Sequence, residues 1–139
     1  MIGKSRALLD LIETVRQIAN YDVVVSIYGE TGTGKELVAR SIHYTGIRAS
    51  GPFVPVNCGA LPDSLFESEL FGHEKGAFTD ARTGHSGLIQ QAEGGTLFLD
   101  EIETLPIKGQ AALLSVLLQY FQDLRILTLN VVFGSVVAV

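Results

Sequence analysis

Seven residues, Gly29-Glu30-Thr31-Gly32-Thr33-Gly34-Lys35, fit the pattern G-x-x-x-x-G-K. Three glycines let the backbone fold into a nest whose N–H groups converge on an anion. The lysine brings a mobile cation to the outer oxygens of a polyphosphate. The β-branched run at 22–28 reads as a strand before this turn, and a helix is expected from Lys35 to about Tyr44. That order places phosphate at a helix N-terminus. A plain glycine turn is the bland alternative, and the agreement of strand, turn, lysine and helix argues against it. The strict pattern follows the lysine with Ser or Thr, whose hydroxyl goes to Mg²⁺. Here Glu36 stands in that place. A carboxylate also suits a hard cation, but it adds negative charge beside the phosphates. By chemistry alone this weakens the case for hydrolysis.

Leu97-Phe98-Leu99-Asp100-Glu101 is an apolar run ending in two acids. Paired with a phosphate loop, this places Asp100 to hold Mg²⁺, largely through water, and Glu101 to orient and deprotonate an attacking water. Alone, the same acids would do as a helix cap. Between the two motifs, residues 67–81 follow no core periodicity and set Phe71 and Phe78 among glycines and charges. Phe78 suits a core anchor as well as an exposed contact. Glu67 and Glu69 read as a solvated face, Cys58 as a small buried hydrophobe, and His43, His73 and His85 as surface or hydrogen-bonded histidines.

The elements that must position these groups alternate. Leu8, Ile12, Val15 and Ala19 recur at helical spacing behind Ser5, a candidate N-cap. Residues 52–57 form a second strand, and Pro52 and Pro55 suit it to a sheet edge. Asp63 or Ser64 is a candidate cap for a short helix to Phe71. Residues 72–86 read as an extended loop or hairpin, 87–92 as a helical turn, and 96–100 as a third strand. Pro106 opens a last helix whose face is Ile107, Ala111, Leu114, Leu118 and Phe121. Strand–helix alternation implies an α/β fold with a parallel sheet, and ligands bind beyond the carboxyl ends of such strands. Gly29, Asn57 and Asp100 all fall there.

The 139 residues amount to one domain. Ten Lys and Arg against fifteen Asp and Glu give a net charge of −5. An acidic chain is a poor binder of nucleic-acid backbone, so direct DNA binding is not expected. One cysteine excludes an internal disulfide framework and a thiolate zinc cluster. No apolar run is long enough to span a bilayer and no signal peptide is evident, which sets a cytoplasmic expectation.

Gly29-Glu30-Thr31-Gly32-Thr33-Gly34-Lys35-Glu36-Leu37-Val38-Ala39-Arg40, Pro52-Phe53-Val54-Pro55-Val56-Asn57-Cys58, residues 67–81 and Gly94-Gly95-Thr96-Leu97-Phe98-Leu99-Asp100-Glu101-Ile102 together resemble one family. It is the central AAA+ ATPase domain of the sigma-54-dependent transcriptional activators, the bacterial enhancer-binding proteins. The likeness covers residues 1–119 and leaves an apolar tail at 120–139. It implies a three-layer P-loop fold of strand order 5-1-4-3-2, with ATP and Mg²⁺ as cofactors and Glu36 as an ordinary family feature. It implies that Asn57 holds the catalytic Glu101 inactive until the γ-phosphate is sensed. Gly76-Ala77-Phe78-Thr79-Asp80-Ala81 would be the loop that reaches sigma-54 from the pore of a ring of subunits, with Phe78 and Thr79 in contact. Asp80 replaces a glycine of the family loop. The family continues with a sensor strand, arginine fingers, a fifth strand and a helical lid, none of which the sequence after Gln119 matches. Val131 to Val139 is β-prone and would serve as strand four.

Two readings follow. One is an ATP-dependent module that remodels sigma-54 RNA polymerase within an oligomer. The other is a truncated, hydrolysis-deficient remnant that binds nucleotide or a partner. A small-molecule kinase shares the phosphate loop, but nothing resembles its acceptor site.

Overall fold

A computed structural model describes residues 3–73, 85–120 and 135–138 of the chain. Helix α1 (Arg6–Ile18) starts where expected, with Ser5 Oγ accepting from Leu8 N at 3.3 Å. Its apolar stripe lies on α2 (Lys35–Thr45), where Val15 and Ala19 meet Ile42. Between the two helices runs β1 (Val24–Ile27). At the end of α2 a Cβ on Gly46 would collide with the carbonyl of Ala19. A glycine there lets the ends of the two helices touch through backbone, and Ile47 N donates to Ala19 O at 3.1 Å.

Strand β2 (Phe53–Asn57) lies at a sheet edge, where Pro55 costs no ladder bond. A single-turn helix (Cys58–Ala60), then α3 (Phe66–Phe71), lead to a short hairpin of β3 (Gly72–His73) and β4 (His85–Ser86). The short helix α4 (Leu88–Gln91) precedes β5 (Thr96–Asp100), which runs parallel to β2 with Asn57 opposite Asp100. A turn at Ile102–Thr104 leads into α5 (Ile107–Tyr120), and β6 is Ser135–Ala138.

The four-stranded sheet has the order β1-β6-β5-β2. The pleat of β5 divides the core. Phe98 packs with Ala39 of α2 on one face, while Leu97 and Leu99 join Phe66, Leu70 and Leu113 on the other. Helices therefore cover both sides, and three layers result.

Three expectations are corrected. Strand β6 fills the slot between β1 and β5 but runs antiparallel to both, so the sheet is parallel only in β1, β5 and β2. Ladder bonds form in either direction, and a β-prone run fixes no direction by itself. Neither Asp63 nor Ser64 caps α3. They form the corner of a turn closed by Leu65 N to Pro62 O at 2.9 Å, and Leu65 takes the N-cap position. Finally, α5 buries Gly109 and Leu113 rather than the expected face, leaving Ile107 85% exposed and Ala111 and Leu114 exposed. By sequence this helix carries two apolar stripes, Ile107, Ala111, Leu114 and Leu118 on one side and Ala112, Leu113, Val116 and Leu117 on another, with Lys108, Ser115 and Gln119 between them, so spacing alone does not select its inner face. Phe121 and the side chain of Leu118 lie outside the described residues.

Candidate functional site

The turn from Gly29 to Gly34 joins the carboxyl end of β1 to α2. Gly32 and Gly34 have φ of 81° and 90°, a left-handed backbone that side chains resist. A Cβ at Gly29 would stand 2.6 Å from Thr33 Oγ1, so the loop also needs a bare Cα there. Thr33 Oγ1 donates to Glu30 O at 2.7 Å, and Lys35 Nζ donates to Gly29 O at 2.8 Å and Glu30 O at 3.2 Å. An ammonium carries three protons, so the lysine braces the loop with two and has a third for another acceptor. Gly34 caps α2 and offers the first-turn N–H groups no side-chain acceptor of its own.

Glu36 does not stand alone. Its Oε1 accepts from Arg40 Nε at 2.8 Å and lies 2.7 Å from Arg40 Nη2. The Arg40 guanidinium lies 4.5 Å from the ring centroid of Phe53, which itself stacks on Phe98.

At the end of β5, Asp100 Oδ1 accepts from Glu101 N at 3.0 Å. Glu101 is the only non-glycine among the described residues with positive φ, at 54°. Its carbonyl accepts from Thr104 N at 3.0 Å and Thr104 Oγ1 at 2.7 Å, which locks that geometry. The Glu101 carboxylate lies over Gly59, where a Cβ would collide with Oε2. Asn57 Oδ1 accepts from Gly59 N at 2.9 Å. Asn57 and Glu101 thus converge on one glycine from two strands. Cys58, beside them, is buried as expected. Its thiol is pushed up to about 12, first by burial and then by Asp100, Glu103 and Glu101.

The loop and the acids share one cleft of about 300 Å³, lined by Thr31, Gly32, Gly34, Lys35, Glu36, Asp100, Glu101 and Glu103. Gly29, Glu30, Thr33 and Asn57 are not part of that lining; the first three brace the loop through Thr33 and Lys35, and Asn57 accepts from Gly59 N. Residues Gly76, Ala77, Phe78, Thr79, Asp80 and Ala81 lie outside the described residues; the β3–β4 pair marks the base of their segment. Sequence reasoning missed Glu103, Gly59 and Arg40. A helix-pair rule would have found Arg40, four residues after Glu36. No sequence signal marked Gly59.

The lining holds one cation, Lys35, against four carboxylates. Among the described residues, no group of three or more His, Cys, Asp or Glu side chains is placed to hold a metal by itself. Mg²⁺ uses one or two carboxylates together with phosphate oxygens and water, and the cleft offers carboxylates at Asp100, Glu101 and Glu103. The glycine cradle and the lysine fit the phosphates.

The model of the sigma-54 interaction domain matches residues 1–125. The chain is 54% identical over 117 residues to a Nif-specific regulatory protein of Enterobacter agglomerans, which covers 84% of this chain and 23% of that protein. It superposes on NtrX from Brucella abortus in complex with ATP with a TM-score of 0.76 and 38% identity, over 86% of this chain and 25% of that one. The P-loop NTPase domain of a sigma-54 transport activator from Escherichia coli gives a TM-score of 0.52 and 28% identity, over 76% and 70% of the two chains. The chain spans about a quarter of the length of the curated relatives it matches.

Proposed function

The chain belongs to the sigma-54 interaction domain family, and from that premise we propose that its cleft binds ATP with Mg²⁺ in the service of sigma-54-dependent transcription. One observation carries the reading: the glycine cradle with Lys35 and the acidic end of β5 line the same cleft. Glycine N–H groups and the start of α2 receive phosphate oxygens, and Lys35 turns its remaining proton to the outermost ones. When bound, Mg²⁺ would offset the charge shared by phosphates and carboxylates, with Asp100 as its protein ligand. Glu101 accepts the proton of the attacking water. Asn57, which accepts from the N–H of the glycine that the Glu101 carboxylate lies over, sets the direction in which that carboxylate points.

The partner side of the proposal rests on resemblance. Residues 76–81 form the sigma-54 contact, with Phe78 and Thr79 at its tip and Asp80 adding a charge. A ring of subunits in the cytoplasm is the proposed setting.

A second reading has its own observation. The Glu101 carboxylate lies against Gly59 beside Asn57, a pose that supports nucleotide binding without turnover. Calorimetry with ATP, with and without Mg²⁺, and a steady-state ATPase assay test both readings. Mg²⁺-dependent binding with turnover supports the first, and binding alone supports the second. No binding by the wild-type chain overturns both.

A further inference from the structure

The carboxylate of Glu36 sits at the start of α2, where the helix end favours an anion. A phosphate group wants the same place. With Glu36 on the cleft wall, two anions compete for one positive potential. The structure answers this with Arg40. Its Nε and Nη2 both address Glu36 Oε1, at 2.8 and 2.7 Å. Its guanidinium lies on the Phe53 ring, 4.5 Å from the centroid, and Phe53 stacks on the buried Phe98. An ordinary helix-surface pair of this spacing is mobile and weak. Here the half-exposed cation also lies on a ring that stacks on the core.

We propose that Arg40 is the resident counter-charge of the phosphate site, a positioning residue that neutralises Glu36 and turns its carboxylate away from the incoming polyphosphate. The inference rests on the reading of the cleft as an ATP site. It assigns Arg40 a part in nucleotide affinity although Arg40 is not among the residues that line the cleft.

The test is ATP affinity by calorimetry, in Mg²⁺, for the 139-residue chain and four variants. Arg40→Gln leaves Glu36 uncompensated and should weaken binding roughly fivefold, the scale of one unit charge across a solvated cleft. Arg40→Lys keeps the charge and should lose less than half of that effect. Glu36→Gln should bind at least as well as wild type. In Glu36→Gln with Arg40→Gln, affinity should return to that of Glu36→Gln alone, and raising the salt should shrink the Arg40→Gln defect. Circular dichroism confirms that each variant is folded. If Arg40→Gln binds like wild type, or if the double variant is no better than Arg40→Gln, the counter-charge role is overturned while the ATP site stands. If Arg40→Lys loses as much as Arg40→Gln, the contribution is packing on Phe53 and the proposal is likewise overturned. If the wild-type chain binds no ATP, the site itself falls and the proposal with it.

Discussion

At the scale of single residues, the cleft is built from side chains that answer to backbone demands. Glu101 holds φ at 54°, which costs an L-residue about 1–2 kcal/mol. Urea denaturation should therefore find Glu101→Gly more stable than Glu101→Ala by about 1 kcal/mol, after the entropy of glycine is set against the relief. Equal stabilities would mean that the turn relaxes around alanine. Lys35 is the one cation of the cleft lining, so Lys35→Ala should lower ATP affinity by roughly ten- to a hundredfold, the scale of a charge-assisted contact. An unchanged calorimetric affinity would place the nucleotide elsewhere. The loop glycines, Lys35 and Asp100-Glu101 were legible as a set because their residue types and spacing along the chain point to one chemistry when taken together. Gly59 was not, because the need it serves arises between β2 and β5, from a carboxylate brought over it by a distant strand.

At the scale of elements, sequence reading worked where one face was apolar and failed where several were. Helix α1 was legible from its stripe and its serine cap. Removing the cap with Ser5→Ala should cost about 1 kcal/mol in thermal or urea unfolding. The inner face of α5 was hidden by a second apolar stripe on the same helix, yet Gly109 was a clue, since glycine inside a helix often marks a close approach. A Cβ there would stand 3.3 Å from Phe66 Cδ1. Gly109→Val should therefore destabilise by about 1–3 kcal/mol through overpacking, and a neutral result would show that α5 can withdraw from α3. The pair of α2 and β5 is joined by a buried hydrogen bond of 2.8 Å between His43 Nδ1 and Thr96 Oγ1. Burial lowers the pKa of His43 from 6.5, Arg40 adds to the lowering, and a backbone hydrogen bond at Gly51 opposes it. The unfolded chain thus binds more protons below 6.5, so stability should fall as pH drops through that value. His43→Gln should flatten the loss between about pH 7.5 and about pH 5.5. A variant as pH-sensitive as wild type would assign the loss to other groups.

At the scale of the whole molecule, charge and sheet order govern behaviour. A net charge of −5 and four carboxylates in the cleft set a repulsion against a polyphosphate, which the proposed divalent cation would offset. The sheet layers and three of its strand directions were legible from alternation. The sense of β6 was not, since direction belongs to the path of the chain and not to the strand's own residues. That strand has a reach beyond the core. In the sheet, β1 carries the phosphate loop and β5 the acids, and they share no ladder; β6 lies between them, with Val137 opposite Val25 on one side and Phe98 on the other. A ligand that spans the two walls and a strand that rivets them are therefore reciprocal: each must raise the affinity of the other's docking by the same factor. Amide hydrogens at 136–138 would then act as a remote gauge of cleft occupancy, exchanging more slowly once Mg²⁺ and ATP are added, and Val137→Pro, by deleting a ladder donor, would loosen nucleotide binding from within the sheet.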